Sequence, residues 1–476
     1  MIKVYLDKEN FRYDVDSMLK IFTKEYKFLE EEKEFNISIS FDKEKSIIKY
    51  YENDLIEIII KKEDLIHLDM KKAVKKELYK ILSNKFDKIQ AWGILIGIRP
   101  TKIVHNLYNK GYDTNEIKDI LRNEYLVSDE KIDLMLDICK KERKFLDFAK
   151  HNKVSVYISI PFCYTRCIYC SFPSHIISKW GHLTKNYMDA LKKEIIRISK
   201  YLKELDKEIE SIYIGGGTPS AISKEEIDFL LTTVEDNFDL SKCKEFTFEA
   251  GRVDTLTEDK LSIIKKHKVD RISINPQTMN DETLRKINRK HDSKDISYWF
   301  KKAREIGFSN INMDIILGLI DENVDMVKNT LEEIKKLNPE SLTVHTLALK
   351  RASDLNKIDM DIEVLKYEDM KKMVDISMEF AGQMNMKPYY MYRQRQILGN
   401  LENIGYSKEN YESVYNVQIM EEKQSIIALG AGGISKIYYQ KEDRLVRVPN
   451  VKDIEHYINR IDEMIKRKED ELFKEA

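Results

Sequence analysis

Three cysteines fall within eight residues, Cys163, Cys167 and Cys170. The spacing is three intervening residues and then two. Three thiolates so placed can bind three irons of a cubane [4Fe–4S] cluster. The fourth iron then keeps a position for an outside ligand, so such a site can do chemistry as well as carry electrons. A structural zinc site usually draws four ligands from two pairs, but the other two cysteines, Cys139 and Cys243, each stand alone. A disulfide framework calls for denser cysteine usage and a secretory leader, and the opening run Met1–Asp7 has no apolar core. The cluster is the expected reading, with Cys139 and Cys243 as inert thiols.

Other groups able to hold a ligand follow at regular intervals. Gly215-Gly216-Gly217-Thr218-Pro219 is a glycine run whose backbone a ligand can approach closely. Glu249, Gln277, Arg289 and Asp314 add carboxylates, an amide and a guanidinium. These are positioned by a repeating pattern. Apolar, β-rich runs occur at Val154–Ile160, Ser211–Ile214, Glu245–Phe248, Arg271–Ile274, Ile311–Ile316 and Ser341–Thr346. Helical periodicity separates them, for example at Thr184–Leu205, Lys224–Glu235, Glu258–His267 and Val324–Leu337. Successive βα units predict an α/β fold with a parallel sheet and outer helices. Near-continuous apolar runs suit strands buried on both faces. Six units are too few to close an eight-stranded barrel, so a partial (β/α)6 barrel is expected. Cys163, Gly215, Glu249 and Gln277 then fall at the C-terminal ends of the first four strands, with Asp314 in the fifth. That edge is where parallel α/β folds bind ligands.

The flanking segments read differently. Residues 1–150 show strand-like runs at Phe35–Phe41, Ser46–Tyr51 and Leu55–Lys61, a helix from about Glu63 to Phe86, and helical stretches from Thr101 to about Phe148. They predict a small α+β module with a helical connector. The phrase Gly93–Lys102 reads as a turn into a helix beginning at Pro100 and Thr101. Residues 151–350 form the barrel, and 351–476 read as a helix-rich region covering the substrate, with a helix at Ile362–Met384 and a late glycine loop, Leu429–Ser435. Hydrophobic residues make up 42%, enough for real cores. With 81 basic and 82 acidic residues there is no electrostatic footprint for nucleic acid or an anionic membrane. No apolar run approaches a membrane span, and a cytoplasmic enzyme is expected.

Cys-x3-Cys-x2-Cys with an aromatic just before the last cysteine resembles the signature of the radical S-adenosylmethionine (radical SAM) enzymes. Tyr157–Phe172, Gly215–Pro219 and Arg271–His291 look like the oxygen-independent coproporphyrinogen III oxidase family, with likeness over roughly residues 150–440. The long extension ahead of Cys163 suggests the HemZ-type branch. The resemblance implies that Cys163, Cys167 and Cys170 ligate the cluster. It implies that S-adenosylmethionine chelates the open iron and is cleaved to a 5′-deoxyadenosyl radical that abstracts hydrogen. Tyr157, Tyr169, Gly216, Gly217, Thr218, Glu249, Gln277, Arg289 and Asp314 are then the expected cofactor contacts. Tyr169 would lie near the adenine, Gln277 and Asp314 at the ribose, and Arg289 at the methionine carboxylate. The implied substrate is coproporphyrinogen III, decarboxylated oxidatively to protoporphyrinogen IX. The implied electron donor is of flavodoxin or ferredoxin type. Propionates call for cations, and Arg166 and the run Tyr389–Arg395, with Arg393 and Arg395, are the candidates. Gly430, Gly432, Gly433 and Ser435 resemble a late contact to substrate or a second cofactor molecule. One departure matters: Cys170 is followed by Ser171-Phe172, where the best-characterised oxidases continue Cys-x-Cys. Family members that deliver haem share this ending. A haem-binding chaperone, or a radical SAM enzyme acting on haem, is therefore the alternative.

Overall fold

The computed structural model describes all residues except 52, 53, 98, 147–151, 349, 351, 352, 357–366, 395, 396 and 476. The chain falls into two compact units, Met1–Cys139 with Tyr392–Leu401, and Lys140–Met391 with Glu402–Ala476.

The second unit is built on an eleven-stranded sheet. Its centre is six parallel strands, Lys153–Ile160, Glu208–Gly216, Glu245–Glu249, Arg271–Ser273, Ile311–Leu317 and Ser341–Thr346, each paired in parallel with the next. This is the partial (β/α)6 barrel. In the first strand Val154, Val156, Ile158 and Ile160 are fully buried. Each such side chain stabilises the fold by roughly 1.5–3 kcal/mol relative to exposure. The intervening helices start on their own caps. Ser223 and Asp292 form capping boxes with Glu226 and Asp295, and Asn323 caps Val324–Leu337 by accepting from Met326 N–H. Helix Ser293–Ile306 ends at Gly307, whose φ of +106° suits glycine and few other residues.

The C-terminal part adds strands to the helices expected of it. Among its described residues it supplies helices Tyr367–Gln383, Val414–Glu421, Ile454–Asn459 and Ile461–Glu475, but also strands Lys387–Tyr392, Asn403–Ser407, Ser425–Leu429, Ile434–Tyr439 and Arg444–Pro449. Residues 362–366 of the expected helix lie outside the described residues. Ser425–Leu429 pairs in parallel with the first barrel strand, and Asn403–Ser407 runs antiparallel to the sixth. Both are five-residue segments, too short for periodicity to separate strand from helix.

The first unit carries a five-stranded sheet in the order Tyr26–Leu29, Ile2–Leu6, Ile37–Phe41, Lys45–Tyr51, Leu55–Lys61. The first two strands, and helix Arg12–Phe22, go beyond the sequence reading. The helix expected from Glu63 begins instead at Met70, capped by Asp69, and runs to Phe86. Helices Thr101–Asn109, Thr114–Asn123 and Asp129–Glu142 follow. Gly93 sits in a turn at φ +50°, and its Cα lies so close to Tyr125 and Leu126 that a Cβ would meet their carbonyl oxygens at 2.2 and 2.3 Å.

Candidate functional site

The site begins where the first barrel strand ends. After Pro161 the chain makes a two-residue strand, Phe162–Cys163, paired in parallel with His175–Ile176. The His175 amide donates to the Pro161 carbonyl at 2.7 Å. The loop between these pairs holds the three cysteines. Cys170 N–H donates to the Cys167 carbonyl at 3.0 Å. Asn288 clamps the loop from the fourth βα unit: its amide donates to Arg166 O at 2.8 Å and its carbonyl accepts from Thr165 at 2.9 Å. The Leu355 amide donates to the Ile168 carbonyl at 3.1 Å. All five cysteines are free thiols, so no disulfide competes for the three in the loop. Burial pushes the Cys163 and Cys170 thiols up.

The glycine run lies directly under this loop. The Gly217 and Thr218 amides donate to the carbonyls of Ile160 and Phe162 at 2.8 and 2.7 Å, and Thr218 Oγ1 donates to Cys163 Sγ at 3.6 Å. A Cβ at Gly217 would lie 2.6 Å from Phe162 O and 2.9 Å from Cys163 Sγ. Gly216 is at φ +117°, with strand one 2.9 Å from where its Cβ would be. These glycines keep open a cradle that any side chain would fill.

The polar groups at the ends of later strands are buried. The Glu249 carboxyl is pushed up to about 8, by burial first and then by the charge on Asp314, while Tyr213 donates to it at 3.3 Å. Burial alone would raise Asp314 as well. His345, with Nε2 3.8 Å from Oδ2, and Asn312, donating at 2.7 Å, outweigh it and hold that carboxyl low. Arg289 donates to Asn275 O at 2.6 Å and to the Tyr169 hydroxyl at 3.0 Å. Gln277 stands at φ +68°, a left-handed conformation unusual for a long side chain. It is held there by bridging to strand five: its amide donates to Asp314 O and its carbonyl accepts from Ile316 N–H, both at 2.9 Å. Strain of this kind persists where the surroundings over-determine it, commonly at sites. Gln277 Oε1, Asn275 Oδ1 and Arg289 Nε are buried with no hydrogen-bond partner among the described residues. Buried polar atoms are rarely left so, and a polar ligand at this edge would satisfy them. Tyr157 stacks with Tyr213 and Tyr415, at centroid separations of 6.2 and 5.9 Å, and burial followed by the Glu249 charge pushes its phenol up. Open thiols, a glycine cradle, buried carboxylates and unpaired polar atoms together fit an iron–sulfur cluster with an amino-acid nucleoside beside it.

Sequence reasoning missed several contributors. Asn275, Tyr213 and Tyr415 are among them, and so is Arg252. Arg252 lies three residues beyond Glu249 at the end of the third strand, and that position was the available signal. Its Nη1 donates to Cys167 Sγ at 3.4 Å.

The expected substrate contacts fare differently. Arg166 lies in the cluster loop, its Nε 3.8 Å from Asp354 Oδ2 and its side chain 35% exposed. Arg393 falls in the first unit. Its guanidinium is buried over the Trp92 ring at 4.6 Å and donates to the backbone carbonyls of Leu95 and Asn400, each at 2.6 Å. Those bonds make it a structural tie rather than a carboxylate receptor. Arg395 lies outside the described residues. Tyr389, Tyr390 and Met391 are core side chains. Gly430 packs against strand one, where a Cβ would meet Ser159 O at 2.4 Å, and Gly432 N–H donates to Val451 O. Gly433 N–H donates to Gly430 O at 3.2 Å, and the Ser435 hydroxyl accepts from Ala428 N–H at 2.9 Å. The late glycine loop is thus a packed turn. Cys139 bonds His105 at 3.3 Å, and Cys243 donates to Glu245 O with its thiol pushed up to about 12 by burial.

Comparison with known proteins agrees with this geometry. A sequence model of the radical SAM superfamily matches residues 157–334. The oxygen-independent coproporphyrinogen-III oxidase-like protein HemZ of Bacillus subtilis is 41% identical over 376 residues, 78% of this chain and 75% of that protein. The haem chaperone HemW of the same organism is 30% identical over 315 residues, 65% of this chain and 76% of its own length. In structure, coproporphyrinogen III oxidase (HemN) from Escherichia coli, a radical SAM enzyme, shares the fold with a TM-score of 0.56 at 22% identity, over 68% of this chain and 72% of that one. The cofactors are accordingly a [4Fe–4S] cluster and S-adenosylmethionine. Since the HemZ likeness runs through three quarters of both proteins, the chain belongs to the radical SAM superfamily and, within it, to the oxygen-independent coproporphyrinogen III oxidase-like family.

Proposed function

We propose that the protein catalyses the oxygen-independent oxidative decarboxylation of two propionates of coproporphyrinogen III to vinyl groups, giving protoporphyrinogen IX. The observation that carries this reading is the 41% identity to an oxidase-like relative, joined to a barrel edge that keeps three free thiols beside a glycine cradle. Cluster and S-adenosylmethionine together supply a carbon radical able to abstract hydrogen from a propionate β-carbon. Cys163, Cys167 and Cys170 hold the cluster. Gly216, Gly217 and Thr218 present backbone to the methionine end. Glu249 would face the ammonium, a cation whose charge favours the ionised form of this buried carboxyl. Arg289 uses its unpaired Nε for the methionine carboxylate, while Gln277 and Asp314 receive the ribose hydroxyls. Tyr169, fixed by Arg289, borders the adenine, and Tyr157 closes the stack behind the cradle. Arg166 is the side chain offered to a propionate. An electron donor of flavodoxin or ferredoxin type and a cytoplasmic setting complete the proposal; no helix among the described residues is long and apolar enough to cross a membrane.

A second reading, binding and transfer of haem, is favoured by one observation. Phe172 stands two residues after Cys170, where the best-characterised oxidases have a further cysteine, and HemW is 30% identical. One pair of measurements separates the two. Anaerobic protein with coproporphyrinogen III, S-adenosylmethionine and a reductant should yield a product lighter by two CO2 and four hydrogen atoms. Unchanged substrate, together with a stable Soret band on adding haem, would replace the oxidase reading with the chaperone.

A further inference from the structure

We propose that Arg252 is a positioning residue that ties the cluster loop to the third barrel strand and sets the reduction potential of the cluster through Cys167. The inference needs the cluster alone and is independent of which tetrapyrrole, if any, is the substrate.

The donors of Arg252 are placed one by one. The residue as a whole is 4% exposed. One edge forms a two-pronged pair with Asp254, Nε to Oδ1 at 3.0 Å and Nη2 to Oδ2 at 2.6 Å. That fork fixes the plane of the group. Nη1 is left pointing at the loop, where it donates to Thr165 O at 3.1 Å and to Cys167 Sγ at 3.4 Å. A guanidinium nitrogen of this type carries two hydrogens, and both are accounted for. One bond sets the loop backbone and the other reaches the sulfur of a cluster ligand. Arg252 is short-range in space and long-range in sequence, 85 residues from Cys167.

In the structure the acceptor sulfur is that of a thiol, which stands in for the iron-bound thiolate of the loaded protein. Adding an electron makes a cluster and its thiolates more negative. Hydrogen bonds to the sulfurs stabilise that reduced form and raise the potential. Cys163 accepts a weaker bond, from the neutral Thr218 hydroxyl at 3.6 Å. Arg252 donates a charged hydrogen bond to Cys167, and Arg289 adds a second positive charge beside the same sulfur, so Cys167 is the ligand through which the protein adjusts the cluster. Asp254, in turn, moderates the charge of Arg252 and thereby the size of the adjustment.

The test is a spectroscopic redox titration of the full-length, anaerobically reconstituted chain, with iron counted in the same samples. Arg252→Met should retain the cluster and shift its reduction equilibrium toward the oxidised form by about tenfold, or ~59 mV for one electron. Arg252→Lys, which keeps the charge without the fork, should fall between it and wild type. Asp254→Asn should move the potential the opposite way, because it frees the charge of Arg252; a purely architectural role would not produce opposite signs. Potentials of Arg252→Met and Arg252→Lys equal to wild type at full iron content would overturn the proposal. Should Arg252→Met fail to hold iron, Asp254→Asn decides: a rise supports the assignment and no change defeats it.

Discussion

Glu249 shows what a single buried residue does to the empty protein. Its folded-state pKa is about 8, against an ordinary 4.5. Between those values the folded chain holds a proton that the unfolded chain has released. Stability therefore falls as pH rises through that window, and the penalty is complete above about 8. Glu249→Gln removes it. The cofactor-free variant should melt about 2 °C or more above wild type at pH 8 and show little gain near pH 5. An equal gain at both pH values would sink the assignment. Iron content tests the ligand set in the same direct way. Cys163→Ala, Cys167→Ala or Cys170→Ala should each abolish the cluster, while Cys139→Ala and Cys243→Ala, whose thiols are bonded elsewhere, should keep about four irons. Retained iron in any of the first three, or lost iron in either of the last two, would redraw the set. Asp314→Ala and Gln277→Ala should weaken S-adenosylmethionine binding by about 0.5–1.5 kcal/mol, or up to ~3 where charge is involved, with the cluster spectrum intact; wild-type affinity in both would make these residues structural. The cysteines were legible in the sequence because their spacing is local. Arg252 was not, because its meaning depends on a sulfur 85 residues away.

At the scale of elements, the glycine turn after the second strand and the cluster loop above it form one object. Gly217→Ala would drive a methyl into Phe162 O and Cys163 Sγ. We expect folded protein with much reduced iron uptake, seen as loss of cluster absorbance at unchanged helical content. Gly382 supplies the contrast. It sits near the end of helix Tyr367–Gln383 with nothing within 4 Å of a built Cβ. Gly382→Ala should stabilise by about 0.5–1 kcal/mol in denaturant unfolding; a loss would mean that an unseen contact forbids the methyl. The six barrel strands were readable because strands buried on both faces are rich in apolar residues, as Ile311–Leu317 is around Asn312 and Asp314. The late strands were not. Asn403–Ser407 is polar and contains glycine, and its burial comes from Tyr390, whose ring occupies the space beside Gly405. Only the folded sheet supplies that neighbour. Tyr389–Tyr392 misled for the related reason that an aromatic run suits a core as well as a ligand.

Across the second unit as a whole, a buried ion pair joins regions far apart in sequence. Lys468, on the last helix, donates to Glu194 at 2.6 Å, and both side chains are fully buried. Glu194 also accepts from Tyr457 at 2.6 Å and from the Gly430 amide at 2.8 Å. Lys468→Met leaves a buried carboxylate uncompensated and should cost about 3–5 kcal/mol. Adding Glu194→Gln should recover much of that in the double variant, measured by denaturant unfolding; no recovery would show that the lysine matters only for packing. The first unit raises a different issue. Strand Leu55–Lys61 is the last in its sheet, and Leu55, Ile56 and Ile59 are 55%, 52% and 51% exposed. An open apolar edge is a template on which another chain's backbone can add itself. Its isoleucines, Ile56 and Ile58 to Ile60, also lie in a segment of the kind that nucleates cross-β stacking. The consequence falls on handling: concentrated samples held for slow anaerobic cluster loading would be lost first through this strand, with the metal site still intact.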